Sequence, residues 1–321
     1  MNWLERVPGP ALAALTGSVA EGARARHGRI VSCKPLTPDA LGGGPFTLRD
    51  ARKLGLDYWH LRSGSWPRLG PSTYALSRRS DGPMLKLQAA GCRLPPAGAF
   101  SGLAAAWLHG LDVEPCNPID VTVPKGEGVS GRSGMRVSRS RLGADDVVCV
   151  QGIRTTSILR TLEDIGRRMS LVEATVVADM ALHSGTVELP TFKSWVRTRR
   201  DGRGLVNLRL VADHAEPKSE SPMETRLRML LVLAGLPRPE AQVSIHDRKG
   251  RFLGRPDLYY AERRLGLEYD GGVHRDSLAE DNRRQNRLLE EGVRLLRFTA
   301  GDLLHPTVVV AQVRAVLEGR A

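Results

Sequence analysis

Three carboxylates near the C-terminus are spaced so that they could meet at one point. Residues 265–270 alternate between apolar and polar, as a half-buried strand does, so Glu268 and Asp270 are expected on the same face. Asp257 starts the preceding apolar run, and a polar turn at residues 262–264 separates that run from Glu268. A hairpin formed by the two runs would bring Asp257 beside the other two acids.

Such a cluster has a characteristic chemistry. Carboxylates held in a small volume repel one another, and a divalent cation neutralises them. Oxygen ligands suit Mg²⁺ or Mn²⁺, which also bind phosphate oxygens, and such an ion activates water for attack on phosphorus. The predicted reaction is therefore hydrolysis of a phosphodiester. The alternative is a surface hairpin whose acids pair with Arg255, Arg263 and Arg264.

The motifs around these acids resemble a nuclease family. Pro256-Asp257, ten intervening residues and then Glu268-Tyr269-Asp270 are similar to the PD-(D/E)XK signature of restriction-endonuclease-like folds. A closer resemblance is to the very-short-patch-repair endonuclease and its related uncharacterised domain family. It is carried in order by Met223-Glu224-Thr225-Arg226-Leu227, Gly254-Arg255-Pro256-Asp257, Asp270-Gly271-Gly272-Val273-His274 and Asp281-Asn282-Arg283-Arg284.

This resemblance implies an α/β domain over residues 222–321 that cleaves DNA with Mg²⁺ or Mn²⁺, held by Asp257, Glu268 and Asp270. Asp270 occupies the third signature position, where the family usually has Lys. We therefore expect His274 to orient or deprotonate the water, because an imidazole titrates near neutral pH.

Two helices are expected to support the acids. Glu224 borders the apolar stripe of a helix beginning at Pro222, where it could reach the metal directly or through water. It is equally explained as a first-turn acid favoured by the helix dipole. On a later helix Asp281 shares a side with apolar residues, which predicts a site or a buried pair, with Arg284 as its partner or as a phosphate clamp.

The overall composition favours a partner with negative charge. The 321 residues include 47 Lys and Arg against 35 Asp and Glu, a net charge of +12, which suits nucleic acid. Four cysteines without CxxC spacing argue against a zinc site and a disulfide framework, so a reducing cytoplasm is expected. No apolar run approaches the roughly 18 residues of a membrane span.

The front of the chain predicts a small DNA-binding unit. Residues 1–42 form an N-terminal extension that ends in a glycine cluster, and residues 43–82 are expected to be winged-helix-like. Thr47 can cap a short helix at 48–54, and a second short helix is expected at 58–62, before a small hairpin. The side chains then placed to contact phosphates or bases are His60, Arg62 and Arg68.

Residues 83–200 are expected to form an α+β domain. Helices are predicted at 101–111, 159–165 and 171–183, with strands at 119–123 and 135–138. Over about residues 46–190 the chain resembles the AbiEi-type antitoxin architecture, a winged helix followed by an α+β domain. The motifs that carry it lie at 101–106, 121–124 and 155–164. The resemblance implies regulation or DNA binding, not catalysis.

A basic stretch at residues 193–209 leads into the last part, and residues 201–221 are expected to be a basic linker. Arg197, Arg199 and Arg200 could follow a phosphate backbone. The alternative is a solvated face with no partner.

The sequence thus predicts a three-part cytoplasmic protein with a winged-helix-like start, an α+β middle and an α/β, restriction-endonuclease-like end. The predicted function is metal-dependent cleavage of DNA, with a duplex as the expected substrate. The alternative is a DNA-binding transcriptional regulator or type IV antitoxin-like protein that keeps the nuclease fold without turnover.

Overall fold

The computed structural model describes residue 41 and residues 43–62, 64–76, 82–129, 134–200, 202–271 and 286–320. They fall into two compact units, divided between Gly98 and Ala99. The predicted α/β class is confirmed at the level of a mixed α/β protein with several sheets. No helix among the described residues has both the length and the apolar run needed to cross a membrane.

The first unit is a small helix and hairpin assembly. Helix α1 (Leu48–Lys53) follows strand β1 (Phe46–Thr47), and β1 pairs with β3 (Thr73–Tyr74), which also pairs with β2 (Arg68–Gly70). Helix α2 (Pro83–Gly91) ends the unit. The core contains Phe46, Trp66, Tyr74, Leu61 and Ala51.

The predicted cap of α1 is confirmed. Thr47 Oγ1 accepts a hydrogen bond from Asp50 N, and Asp50 Oδ2 accepts one from Thr47 N, which satisfies two backbone donors at the helix start. The second helix is shorter than predicted, because only the 3₁₀ turn His60–Arg62 forms. Asp57 Oδ1 accepts the backbone N–H groups of Trp59 and His60, and this local bonding competes with a longer helix.

The second unit begins with a five-stranded sheet in the order β6-β5-β4-β8-β7. Strand β5 (Ile119–Val123), between β6 and β4, is buried along its whole length, as expected for a strand covered on both faces. The other strands are β4 (Ala99–Phe100), β6 (Met135–Arg139), β7 (Val147–Val150) and β8 (Ile153–Thr156).

Five helices pack in one core beside this sheet: α3 (Gly102–Leu108), α4 (Ile158–Arg168), α5 (Leu171–His183), α6 (Leu189–Thr198) and α7 (Leu205–His214). The predicted helix at 171–183 has the bounds of α5. Residues 201–221 were expected to be a linker, but α7 occupies about half of this segment. Its buried Leu205, Leu208 and Val211 face the core, so this segment belongs to the folded unit.

Gly204 permits the tight start of α7. Its φ of 78° lies in the left-handed region, and a Cβ there would lie 2.1 Å from the backbone oxygen of Arg167. Only a residue without a side chain fits between α4 and α7 at this point.

The last part combines a helix with a second sheet. Helix α8 (Pro222–Leu233) precedes β9 (Glu240–Ala241), the hairpin of β10 (Ile245–His246) and β11 (Phe252–Gly254), and the hairpin of β12 (Leu258–Tyr260) and β13 (Leu265–Tyr269). Strand β14 (Arg294–Phe298) lies parallel to β13, and the sheet order is β14-β13-β12-β9. Helical residues 286–290 (α9), α10 (Ala300–Leu303) and α11 (Pro306–Leu317) complete it.

The apolar sides of α8, α11 and the sheet meet in one core. Leu227 and Leu231 of α8 contact it together with Leu258, Leu265 and Leu267 of the hairpin. The predicted hairpin between the runs at 258–260 and 265–269 is confirmed, with Leu258 opposite Leu267 in antiparallel register.

Candidate functional site

The β12–β13 hairpin and helix α8 bring three acids together. Asp257 immediately precedes β12, Glu268 lies near the end of β13, and Glu224 lies in the first turn of α8. Ser221 fixes that first turn, because its Oγ accepts a hydrogen bond from Glu224 N at 3.2 Å. The Glu224 side chain is buried although the ordinary place of a first-turn acid is in solvent.

Gln242 joins two of these acids. Its Nε2 donates to Glu224 Oε2 at 2.9 Å and to Asp257 Oδ1 at 3.3 Å. Glu224 Oε2 also accepts the backbone N–H of Glu220 at 2.9 Å. Gln242 has a φ of 52°, which a residue with a side chain rarely adopts, so its backbone is strained at this point.

The environment of Asp257 stabilises its protonated form relative to that of an ordinary aspartate. Burial raises the pKa of its carboxyl to about 6, and the charges of Glu224 and Glu268 add to the shift, while the backbone N–H of Tyr269 opposes it. That N–H lies 2.7 Å from Asp257 Oδ2. Glu268 in turn accepts a hydrogen bond from Arg297 Nε at 3.1 Å, across the parallel pair β13 and β14.

Two of the arginines that could instead pair with these acids have partners elsewhere. Arg255 pairs with Glu220 at 2.9 Å, and Arg264 donates to the backbone oxygen of Glu291. Asp270 lies exposed just beyond β13, and its backbone N–H donates to Phe298 O. The remaining predicted residues of this site, His274, Asp281 and Arg284, lie outside the described residues.

The donor atoms suit a hard cation, but their arrangement is closed by protein groups. Glu224, Asp257 and Glu268 offer only oxygen, as Mg²⁺ or Mn²⁺ prefers. Gln242 and Arg297 already bond to these oxygens. Within the described part of the chain, no group of three His, Cys, Asp or Glu side chains is spaced to hold a metal ion. The Mg²⁺ or Mn²⁺ site therefore stays a prediction.

Helix α8 is also tied to α5 by a buried ion pair. Arg228 Nη2 lies 2.6 Å from Asp179 Oδ2, with side chains that are 0% and 2% exposed. Thr225 Oγ1 donates to the same carboxylate at 2.8 Å, and Glu216 N donates to Asp179 Oδ1 at 2.7 Å. Burial nevertheless raises the pKa of Asp179 to about 6, because desolvation outweighs the attraction of Arg228.

A second, half-buried pair also joins α8 to α5. Arg226 donates from Nε and Nη2 to the two oxygens of Glu173 at 2.8 Å and 2.7 Å. Successive residues of α8 therefore serve different partners: Glu224 belongs to the acid cluster, while Thr225, Arg226 and Arg228 bind α5.

Charged groups of the sheet and α4 pair with one another. Asp120 is buried on β5, and Arg136 binds both of its oxygens. Gly102, with a φ of 52°, lets Asp120 approach, because a Cβ would lie 2.6 Å from its Oδ2. On α4, Arg160 pairs with Asp164 at 3.1 Å. His109 contacts the Thr156 carbonyl at 2.8 Å, as a satisfied histidine at the core edge would.

The candidate DNA-binding residues fall in two places. His60, Arg62 and Arg68 are exposed on the first unit, and their contact with DNA stays a prediction. On the second unit Arg197 and Arg200 are exposed, whereas Arg199 pairs with Glu163 at 3.1 Å and stacks 3.8 Å above the Trp195 ring. The Arg199 side chain is thus held by the fold.

Comparison with known proteins identifies the middle of the chain. Residues 97–210 match the AbiEi antitoxin C-terminal domain. The uncharacterized proteins Rv2248 and MT2308 of Mycobacterium tuberculosis are each 30% identical over 210 residues, which is 64% of this chain and 76% of either relative. This chain belongs to their family. The crystal structure of the RV2827C protein from the same organism covers 64% of this chain and 84% of its own, with 16% identity and a TM-score of 0.39.

The antitoxin match covers the five-stranded sheet and helices α3 to α6, and it ends within α7. The predicted AbiEi-like region is therefore supported from residue 97 onward, whereas the winged-helix-like start lies outside the match. The acid cluster and the second sheet lie beyond residue 210, and no comparison supports the predicted nuclease domain there.

Proposed function

We propose that this protein is a DNA-binding protein of the antitoxin type, and that the first unit binds the DNA backbone. The observation that carries the proposal is the match of residues 97–210 to the AbiEi antitoxin C-terminal domain. It favours the regulator or antitoxin-like alternative over the nuclease prediction, because the matched domain is named for antitoxins and not for an enzyme.

The charge of the first unit supports this proposal. Its described residues include seven cations, Arg49, Arg52, Lys53, Arg62, Arg68, Lys86 and Arg93, against the two acids Asp50 and Asp57. Both acids accept backbone N–H groups at the starts of turns. A small unit with this excess attracts phosphates, and each phosphate contact releases counterions on binding.

The test measures binding of the full-length protein to short duplexes at several salt concentrations. Arg62→Ala and Arg68→Ala should each weaken binding and lower the slope of log K against log salt by about 1. Arg320→Ala is the matched control, since this exposed C-terminal cation lies outside the first unit. Binding that is insensitive to salt, or equally weakened by all three changes, would contradict the proposal.

Metal-dependent cleavage of DNA is the second candidate function. The observation that favours it is the pKa of Asp257, raised to about 6 beside Glu224 and Glu268. Perturbed carboxyls of this kind are concentrated at functional sites. A divalent ion held by these oxygens would supply an activated water and neutralise the charge that develops on phosphate.

This second candidate is tested by incubating the full-length protein with supercoiled and linear DNA in Mg²⁺, Mn²⁺ or chelator. Asp257→Asn and Glu268→Gln should abolish cleavage, while Glu262→Gln, an exposed acid on the same hairpin, should not. Calorimetry provides a readout without turnover, because metal binding should disappear in Asp257→Asn. No cleavage by the unmodified protein and no Asp257-dependent metal binding would leave the antitoxin-type function alone.

A further inference from the structure

The first unit exposes two aromatic rings that its own core does not use. Trp59 is 70% exposed and Tyr58 is 46% exposed. The core is already filled by Phe46, Trp66 and Tyr74, whose rings pack against one another. Exposing a large aromatic ring costs hydrophobic free energy, and exposed Trp and Tyr are favoured where a protein contacts a partner.

The rings are held in place by their backbone. Asp57 Oδ1 accepts hydrogen bonds from Trp59 N at 2.9 Å and His60 N at 3.1 Å, and it contacts His60 Nδ1 at 2.7 Å. Leu61 is buried in the core and anchors the same turn. The Tyr58 ring meets the Trp59 ring edge-on at 5.9 Å. The turn that carries the two rings is thus fixed by its own hydrogen bonds and by Leu61.

One cation contacts this pair, and two more are exposed elsewhere in the same unit. The Arg62 guanidinium lies 5.3 Å from the centre of the Trp59 ring, a cation–π distance. Arg52 and Lys53 are exposed at the end of α1 in the same unit. A partner that satisfies both features carries negative charge and flat π faces, and DNA bases attached to phosphates have both.

We propose that Trp59, supported by Tyr58, stacks on a base of DNA while Arg62 contacts the adjacent phosphate, and that the preferred target contains unstacked bases. The proposal rests on the DNA-binding function proposed above and names the DNA structure recognised. Base faces in an intact duplex are covered by their neighbours. An aromatic ring therefore reaches one only where bases are unpaired or where a step is opened.

The experiment compares a short duplex with the same duplex carrying an unpaired stretch in its centre, using fluorescence anisotropy and full-length protein. The unmodified protein should prefer the duplex with the unpaired stretch. Trp59→Ala should weaken binding to it by about 5- to 100-fold, the usual range for one stacked base, without changing the salt slope. Trp59→Phe should restore part of the affinity, because a smaller ring still stacks.

Two further variants separate stacking from other effects. Arg62→Ala should lower the salt slope by about 1 on both DNAs, since it removes a phosphate contact. Val206→Ala removes an apolar side chain that is 72% exposed on the second unit, and it should change nothing. Circular dichroism should find Trp59→Ala folded, because its ring lies outside the core. An unfolded variant would assign the ring to the fold and overturn the proposal.

The outcomes are distinguishable. DNA binding that is unaffected by Trp59→Ala, or weakened equally on both DNAs, refutes base stacking and leaves DNA binding standing. Self-association that disappears in Trp59→Ala with unchanged DNA affinity assigns the ring to a contact between copies. No DNA binding by the unmodified protein refutes both proposals.

Discussion

Removing one partner of the buried Asp179–Arg228 pair should destabilise the second unit strongly. In Asp179→Ala the Arg228 guanidinium, 0% exposed, keeps the His214 carbonyl at 2.7 Å as its oxygen acceptor and loses its counter-charge. Thr225 and the backbone N–H of Glu216 lose their acceptor as well. An uncompensated buried charge costs about 3–5 kcal/mol.

The intact Asp179–Arg228 pair itself should contribute little to the free energy of unfolding. Burial raises the pKa of Asp179 to about 6 although Arg228 is in contact, so desolvation exceeds the attraction. We therefore expect Asp179→Leu combined with Arg228→Met to recover the loss to within about 1–2 kcal/mol. The double variant should be far more stable than either Asp179→Ala or Arg228→Met alone.

Urea unfolding at pH 7, followed by far-ultraviolet circular dichroism, measures the parent, Asp179→Leu, Arg228→Met and the double variant as a double-mutant cycle, with Asp179→Ala measured beside them. For a unit of this size the single variants should also melt about 6–20 °C lower. The reasoning is refuted if the single changes cost less than about 1 kcal/mol, or if the double change costs the sum of the two.

Other predictions concern single positions. Gly204→Ala should lower the free energy of unfolding by at least about 3 kcal/mol, and Gly185→Ala should lower it by about 1 kcal/mol. Both glycines have positive φ, but only at Gly204 would the added Cβ meet a backbone atom. Thermal melts compare the two variants. Asp257 has a raised folded pKa of about 6, so its contribution to stability is complete below its ordinary pKa and is lost as pH rises through about 6. Asp257→Asn should therefore be more stable than the parent at pH 8 by about 1–2 kcal/mol and no more stable at pH 4, measured by urea unfolding. Gln242→Ala should raise the pKa of Asp257 and Glu224→Gln should lower it, because the Gln242 hydrogen bond lowers that pKa and the Glu224 charge raises it. NMR of the Asp257 carboxyl carbon against pH measures both, and an upward change in Glu224→Gln would contradict the stated causes. Thr47→Ala should cost about 1 kcal/mol through loss of the helix cap, and equal stability would show that the cap is dispensable.

The local part of the acid cluster was predictable from the sequence. Alternation in 265–269 and the polar turn before it specify a hairpin, and a hairpin fixes the neighbourhood of Asp257 and Glu268. Because Glu224 borders the apolar stripe of its helix, the sequence also predicted that its side chain could reach the other acids. These signals work because they depend on neighbours along the chain.

The groups that close the cluster were not predictable in the same way. Gln242 lies in a connection without periodicity, and its role depends on a positive φ that only the fold imposes. Arg297 reaches Glu268 through parallel pairing of β13 with β14, a register between strands far apart in sequence. Helix α7 did leave a signal, since Leu205, Leu208 and Val211 recur at helical spacing, but the surrounding arginines and glycines favoured a linker.

The two sides of the α5–α8 contact constrain how this chain can be recombined. Because α8 supplies Glu224 to one cluster and Arg228 to Asp179 in another, a chimera that exchanges only the segment after residue 215 receives one half of a buried ion pair. Grafting the last part onto another antitoxin-like domain therefore requires the carboxylate on α5 to travel with the guanidinium on α8, or both to be replaced by apolar residues. We therefore expect related proteins to keep α5 and α8 together.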